Sequence, residues 1–151
     1  MTTWRVVFDS TVLVSAFLNK TGVSAALLRQ FFEGAFSLFM AREILEETAT
    51  VLARLPKRHP RRYVYSAQSV ATFLDRLWTS AEPVGLLHIR PVITRDPNDD
   101  MVIASAVKAK AHYLVTRDKD LLVLKQYKKT TIATPEEFAG LLRDRIGNVF
   151  H

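Results

Sequence analysis

Short apolar runs alternate along the chain with longer segments in which apolar residues recur every three or four positions. The short runs are rich in β-branched and aromatic residues and predict strands, whereas the longer spacing predicts amphipathic helices. Strands are predicted at residues 4–8, 36–40, 86–89, 112–116 and 130–133, and helices at 10–18, 23–34, 41–55, 66–80, 97–110, 121–124 and 134–146. Strands that alternate with helices indicate an α/β fold with a mainly parallel sheet.

Polar and proline residues mark the predicted ends of several helices. Ser10 is a suitable N-cap for the first helix. Thr134 and Glu137 have the spacing of a capping box at the start of the last helix. Pro56 and Pro60 are predicted to break the third helix, because proline lacks the backbone N–H that a helix interior uses.

Length and composition narrow the class of protein. The 151 residues suit one domain, residues 1–151, and the absence of cysteine excludes disulfides, zinc–thiolate sites and cysteine nucleophiles. No apolar run approaches the roughly 20 residues that span a bilayer, and no signal sequence is recognisable, so we expect a cytoplasmic protein without membrane contact. The net charge of +6 favours a polyanionic partner.

Acidic residues follow two predicted strands and begin one predicted helix. Asp9 follows the first strand, Asp118 and Asp120 follow the fourth, and Asp99 and Asp100 lie in the first turn of the fifth helix. Each could serve only as a helix cap, because an Asp side chain accepts hydrogen bonds from free N–H groups. Since the carboxyl ends of parallel strands share one edge of the sheet, these positions favour a common pocket over independent caps.

The third helix offers one more carboxylate. Its apolar stripe contains Ile44, Thr48 and Val51, and Glu47 lies at the edge of that stripe, whereas Glu46 points away from it. Glu47 is therefore either an inward-reaching ligand or a surface residue whose stem packs on apolar groups.

Clustered carboxylates repel one another unless a cation joins them. A site made of oxygen ligands alone suits a hard cation, Mg²⁺ or Mn²⁺. Two such ions about 3.5–4 Å apart can activate a water and stabilise a leaving oxygen in phosphodiester cleavage. An acidic site on a basic protein also suits a polyanionic substrate, because the metals neutralise the pocket while remote Lys and Arg residues bind phosphates.

The chain resembles the PIN-domain ribonucleases, and in particular the VapC-like toxins of bacterial toxin–antitoxin systems. The resemblance rests on the order and spacing of the segments VVFDSTVLVSAFL, EILEETATVLARL, TRDPNDDMVIASA, HYLVTRDKDLL and TIATPEEFAGLL. It implies a three-layer, Rossmann-like fold with a central sheet between helices. It also implies a metal-dependent endoribonuclease, often a homodimer, that a cognate antitoxin protein inhibits.

The resemblance assigns the four acids of the family to residues of this chain. They fall on Asp9, Glu47, Asp100 and Asp118, with Asp99 and Asp120 as alternates. Two positions depart from the family pattern. Thr11 replaces a usual Asn and Ala41 replaces a frequent Ser, which bears on rate and metal geometry rather than on the fold. Thr11 and Thr116 are candidate orienting hydroxyls.

The densest basic stretch, RLPKRHPRRYVY, is the candidate RNA-binding segment. Lys57, Arg58, Arg61 and Arg62 could neutralise phosphates, and Tyr63 and Tyr65 could stack on unpaired bases. The same residues would equally suit an exposed loop that only improves solubility. The apolar segment ALLRQFF, residues 26–32, is the candidate dimer surface.

Two other functions agree with part of the sequence. An aspartyl-phosphate phosphatase would need an acid two residues after Asp9, where this chain has Thr11. The stronger alternative is a catalytically weak PIN-like module that binds RNA or an antitoxin, which the replacement at Thr11 mildly favours.

Overall fold

A computed structural model describes residues 2–86 and 97–149. Within these ranges the elements follow one another as β1 (Arg5–Phe8), α1 (Ser10–Leu18), α2 (Val23–Phe32), β2 (Ser37–Ala41), α3 (Arg42–Arg58), α4 (Ala67–Ser80), β3 (Glu82–Val84), α5 (Pro97–Lys108), β4 (Tyr113–Val115), α6 (Lys119–Leu122), β5 (Gln126–Tyr127), β6 (Thr130–Ala133) and α7 (Pro135–Val149). The predicted alternation of strands and helices is confirmed, and the architecture is the three-layer α/β arrangement.

The strands form one sheet in the order β3-β2-β1-β4-β6-β5. All neighbours are parallel except β5, which pairs with β6 in the antiparallel direction. In the centre, Phe8 pairs with Val115, and Val115 pairs with Ala133. The strands β1, β4 and β6 therefore end at the same edge, which we call the carboxyl edge.

Helices cover the central strand on both faces. Three consecutive residues of β1, Val6, Val7 and Phe8, are fully buried, as expected for a strand that lies between two helical layers. On one face, Phe138 of α7 packs against Phe8 and Phe36, with ring centroids 6.5 and 5.3 Å away. Burying one such ring stabilises the fold by about 2 kcal/mol. This core fixes the carboxyl edge in place.

The third predicted strand, residues 86–89, falls almost entirely outside the described ranges. Within those ranges, Glu82–Val84 forms β3, which was not predicted. β3 contains Pro83 and lies at the edge of the sheet, where a missing N–H is tolerated. The short strand β5 was not predicted at all.

The third helix continues through the proline that was predicted to break it. α3 ends at Arg58 and contains Pro56, which cannot donate a hydrogen bond to the Leu52 carbonyl one turn earlier. The Tyr65 hydroxyl donates to that carbonyl instead, at 2.6 Å. Its ring packs edge-on against Phe17, with centroids 4.9 Å apart. Tyr65 was a candidate for stacking on bases, but its ring and hydroxyl both make contacts within the fold.

The predicted dimer segment 26–32 contributes mainly to the core. Leu27, Leu28 and Phe31 are buried, and the Arg76 guanidinium covers the Phe32 ring at 3.7 Å from its centroid. Leu27, Leu28 and Phe31 are thus not part of an exposed dimer surface, whereas Ala26 and Phe32 are half-buried.

No single helix in the described ranges is both long and apolar enough to cross a membrane. Among the helices that the structure describes, only α1 and α2 taken together reach that length and composition, and the pair is bent by 99°.

Candidate active site

Asp9 lies where β1 ends at the carboxyl edge and α1 begins. Its backbone N–H donates to the Val115 carbonyl of β4, at 3.2 Å, which extends the sheet pairing by one residue. Its side chain caps α1 by accepting a hydrogen bond from the Val12 N–H, at 3.3 Å. The N-cap is therefore Asp9, and the prediction that Ser10 would cap this helix is wrong.

Two threonine hydroxyls hold the carboxylate of Asp9. The Thr11 hydroxyl donates to Oδ1 at 2.5 Å, and the Thr116 hydroxyl donates to Oδ2. Each hydroxyl also accepts a backbone hydrogen bond, Thr11 from the N–H of Arg117 at 3.1 Å and Thr116 from the N–H of Asp118 at 3.0 Å. Because the backbone bonds occupy the acceptor side of both hydroxyls, their protons are directed to Asp9.

Burial of Asp9 raises its pKa from 3.8 to about 6. The hydrogen bonds from Thr11, Thr116 and Val12 oppose this shift, whereas the nearby charge of Asp118 adds to it. Asp9 therefore lies close enough to Asp118 for the two carboxylates to repel each other. A cation between such groups would relieve both the repulsion and the cost of burial.

Three further acids converge at the same edge, and we call them the acidic cluster. Asp99, Asp118 and Asp120 each offer a carboxylate oxygen, and these oxygens lie within 4.8 Å of one another. Asp99 is buried in the first turn of α5, Asp118 is half-buried at the N-cap of α6, and Asp120 is exposed. Asp118 accepts a hydrogen bond from the Asp120 N–H at 2.9 Å. A compact set of oxygen donors at graded depth fits a hard divalent cation.

Asp9 also retains acceptor capacity for an ion. Among the described residues, Oδ1 accepts hydrogen bonds from Thr11 and Val12, whereas Oδ2 accepts one from Thr116. A carboxylate oxygen has two lone pairs, so one on Oδ2 is left for a ligand bond.

Asp100 and Glu47 are not members of the acidic cluster of Asp99, Asp118 and Asp120. Asp100 follows Asp99 on α5 and is half-buried; one residue of helix turns its side chain by about 100° from that of Asp99. Glu47 is half-buried on α3, beside the buried Ile44 and Thr48. α3 packs against α1, which Asp9 caps, and against α5, whose first turn contains Asp99.

The basic segment, residues 57–62, lies at the C-terminal end of α3, whereas the carboxyl edge is next to the N-terminal end of this helix. Lys57 and Arg58 end the helix, and Arg61 and Arg62 follow it; all four are exposed. α3 starts directly after β2 at the carboxyl edge, and a helix of this length extends about 25 Å. The segment therefore does not cover the acidic cluster.

An ion pair at the carboxyl edge was not predicted. Arg117, which lies between Thr116 and Asp118, places both terminal nitrogens on the Glu136 carboxylate of α7, at 2.8 and 2.9 Å. The two residues are 19 positions apart, and no local sequence pattern indicates such a pair.

A mainly parallel sheet flanked by helices, with carboxylates gathered at its carboxyl edge, defines an α/β protein with a candidate metal-dependent hydrolytic site. The sequence profile of the PIN domain family matches residues 5–120. The chain belongs to the PIN domain family. PIN domains are generally nucleases and typically use divalent metals. The chain is also similar to MJ1680, an uncharacterized protein of Methanocaldococcus jannaschii, with 28% identity over 142 residues, covering 89% of this chain and 88% of the relative.

Proposed function

We propose that this PIN domain is a Mg²⁺- or Mn²⁺-dependent endoribonuclease that hydrolyses RNA phosphodiester bonds. The observation that supports this proposal most strongly is the convergence of the Asp99, Asp118 and Asp120 carboxylates within 4.8 Å. The position of Asp9, which is within range of the Asp118 charge, adds a fourth acid to the same site. Oxygen ligands alone suit either of these ions.

Asp9, Asp99 and Asp118 are the proposed principal ligands, with Asp120 and Glu47 completing the set. Of the two neighbouring acids on α5, we favour Asp99 over Asp100 because Asp99 is buried and faces Asp118. When bound, the ion supplies Lewis-acid chemistry, which acidifies a water and offsets charge on the phosphodiester. Thr11 and Thr116 hold the Asp9 carboxylate in one orientation, so little reorganisation is needed when the site is loaded.

The basic segment would bind the RNA backbone and so contribute to holding the substrate near this site. The proposed contacts are Lys57, Arg58, Arg61 and Arg62, which are exposed and can pair with backbone phosphates away from the cleaved bond. Their separation from the carboxyl edge, about 25 Å along α3, spans several nucleotides of an extended strand.

The decisive variant is Asp118→Asn. Asn caps helices about as well as Asp, so this change should preserve the start of α6 while removing a charge from the acidic cluster. Removing a group that only orients a metal ligand costs 10–100-fold, so losing a ligand should reduce cleavage by more than about 100-fold. The assay is cleavage of structured and unstructured RNA with Mg²⁺, with Mn²⁺ and with EDTA.

Asp144→Asn is the matched control, because Asp144 is exposed on α7 and the change removes the same charge. Cleavage that persists in EDTA, or that survives in Asp118→Asn, would reject the nuclease proposal. Salt-sensitive RNA binding without cleavage by the wild-type protein would instead identify a catalytically weak binding module.

We further propose that the protein is the toxin of a bacterial toxin–antitoxin pair and acts as a homodimer. The support is the resemblance of its motifs to VapC-like toxins. Induced expression in bacteria should then arrest growth, and Asp118→Asn should abolish the arrest. Co-expression of a small protein from a neighbouring reading frame should relieve it. Light scattering tests the homodimer, and a monomeric mass at micromolar concentration would contradict it.

A further inference from the structure

Arg117 is a cation built into the acidic part of the carboxyl edge. Its neighbours in the chain are Thr116, which donates to Asp9, and Asp118 of the acidic cluster. Its own N–H donates to Thr11, so both threonines that hold Asp9 are connected to this short segment. The backbone of Arg117 is thus fixed relative to the candidate active site.

The guanidinium of Arg117 is accessible and oriented. Its side chain is 39% exposed, and that of Glu136 is 55% exposed. The two parallel hydrogen bonds to Glu136 keep the guanidinium extended in one direction. A guanidinium presents the same pair of donors to a phosphate as to a carboxylate.

Glu136 can release Arg117 at little cost. Exposed ion pairs contribute little to stability because water solvates both charges. Glu136 also lies in the first turn of α7, where the helix dipole favours a negative charge whether or not an arginine is bound. Its carboxylate is therefore a replaceable partner for the guanidinium.

The substrate needs such a contact at this edge. Asp9, Asp99, Asp118 and Asp120 repel an RNA backbone, and a single divalent cation bound among them would offset only about half of that charge. The basic segment lies at the far end of α3 and cannot hold the phosphates next to the cleaved bond.

We propose that Arg117 binds an RNA backbone phosphate beside the acidic cluster and exchanges Glu136 for that phosphate. This inference rests on the proposed function, since it takes RNA as the substrate. Arg117 is then a substrate-binding residue, and Glu136 is a positioning residue that holds the guanidinium in the free protein.

The test measures binding of a fluorescein-labelled oligouridine by anisotropy across a salt series, in Ca²⁺, with the oligonucleotide recovered intact afterwards. Arg117→Gln should weaken binding by about tenfold. The slope of log K against log salt should fall by about 0.7, the value for one contact to a single strand. Arg117→Lys should restore the slope but only part of the affinity, because it keeps the charge and loses the paired donors.

Arg143→Gln is the matched control. It removes the same charge from an exposed position on α7 and should change binding by less than about twofold. Glu136→Gln should tighten binding by about twofold to fivefold, and this gain should vanish when Arg117→Gln is also present.

The outcomes separate this inference from the proposed function. If the wild-type protein cleaves RNA and Arg117→Gln binds like Arg143→Gln, the Arg117 proposal is wrong and the nuclease proposal stands. If Arg117→Gln weakens binding as expected and the wild-type protein does not cleave, the contact is retained and the nuclease proposal fails. If Glu136→Gln still tightens RNA binding when Arg117→Gln is also present, the proposed exchange of Glu136 for a phosphate is wrong.

Discussion

The carboxyl edge and the basic segment differ in how firmly the fold holds their charges. At the edge, Asp9 is buried, its oxygens are hydrogen-bonded by Thr11 and Thr116, and its environment raises its pKa. Residues 57–62 are exposed, and their charges are solvated. We therefore expect function at the edge to be sensitive to the loss of a single hydroxyl, and any binding by the segment to depend on the number of its charges. A catalytic site needs firmly held groups, whereas binding of a polyanion tolerates solvated charges.

The largest expected effect concerns Asp9 in the metal-free protein. Its pKa is 3.8 without burial and about 6 in the fold, so over this interval the folded state holds a proton that the unfolded state releases. Because the unfolded state binds fewer protons, the free energy of unfolding falls as the pH rises, by about 3 kcal/mol in total. The stabilising contribution is complete at the low end of this interval and is lost as the pH passes the folded pKa.

Urea unfolding in EDTA at a series of pH values measures this effect. The stability of wild-type protein relative to Asp9→Asn should fall between the two pKa values, and Mg²⁺ should restore it at neutral pH. Parallel pH profiles for the two proteins would show that burial does not perturb Asp9. That result would remove the main difference between the edge and the basic segment.

The second prediction separates orientation from charge at the edge. Thr116→Val keeps the shape of the side chain but removes the hydroxyl that donates to Asp9 and accepts from the Asp118 N–H. Loss of such a supporting hydrogen bond should reduce metal-dependent cleavage by about 10–100-fold. Thr116→Ser should recover most of it. RNA affinity in Ca²⁺ should stay within about twofold, and a matching loss of affinity would indicate a general structural role.

The sequence predicted that acidic residues meet at the carboxyl edge, but it did not predict the individual contacts there. Strand–helix alternation and the rule for carboxyl ends placed Asp9 and Asp118 on one edge, because both depend only on chain direction. Asp99 and Asp100 could not be distinguished, since both occupy the first turn of α5 and only packing buries one of them. The contact from Thr116 to Asp9 spans 107 residues, and no local pattern reports it.

The wrong expectations near the C-terminal end of α3 also arise from contacts between residues that no local sequence pattern reports. Pro56 does lack an N–H, and the rule that it ends a helix failed because Tyr65 satisfies the Leu52 carbonyl from outside α3. The aromatic and basic composition of RLPKRHPRRYVY indicated a surface that binds nucleic acid. One of its tyrosines is instead part of the fold, a distinction that composition cannot make.

The third prediction concerns the exposed charges. Changing Arg58, Arg61 and Arg62 together to Gln should weaken binding of single-stranded RNA about tenfold at low salt, and lower the salt slope by about 2 for three lost contacts. Cleavage at saturating RNA should change little, because these residues are remote from the edge. Unchanged binding and slope would assign the basic segment to solubility alone. A large fall in cleavage at saturation would contradict the separation of the two regions.

The smallest expected effect concerns Tyr65, which lies just after the basic segment and contacts the rest of the fold. Tyr65→Phe keeps the ring against Phe17 but removes the hydroxyl that donates to the Leu52 carbonyl, so unfolding should become easier by about 1 kcal/mol. RNA affinity should not change, because the ring is already packed within the fold. Tyr63→Phe, directly after the basic segment, is the control and should leave stability unchanged. If Tyr65→Phe weakened RNA binding more than stability, the hydroxyl would belong to the binding surface, and the boundary drawn between anchor and surface would have to move to residue 65.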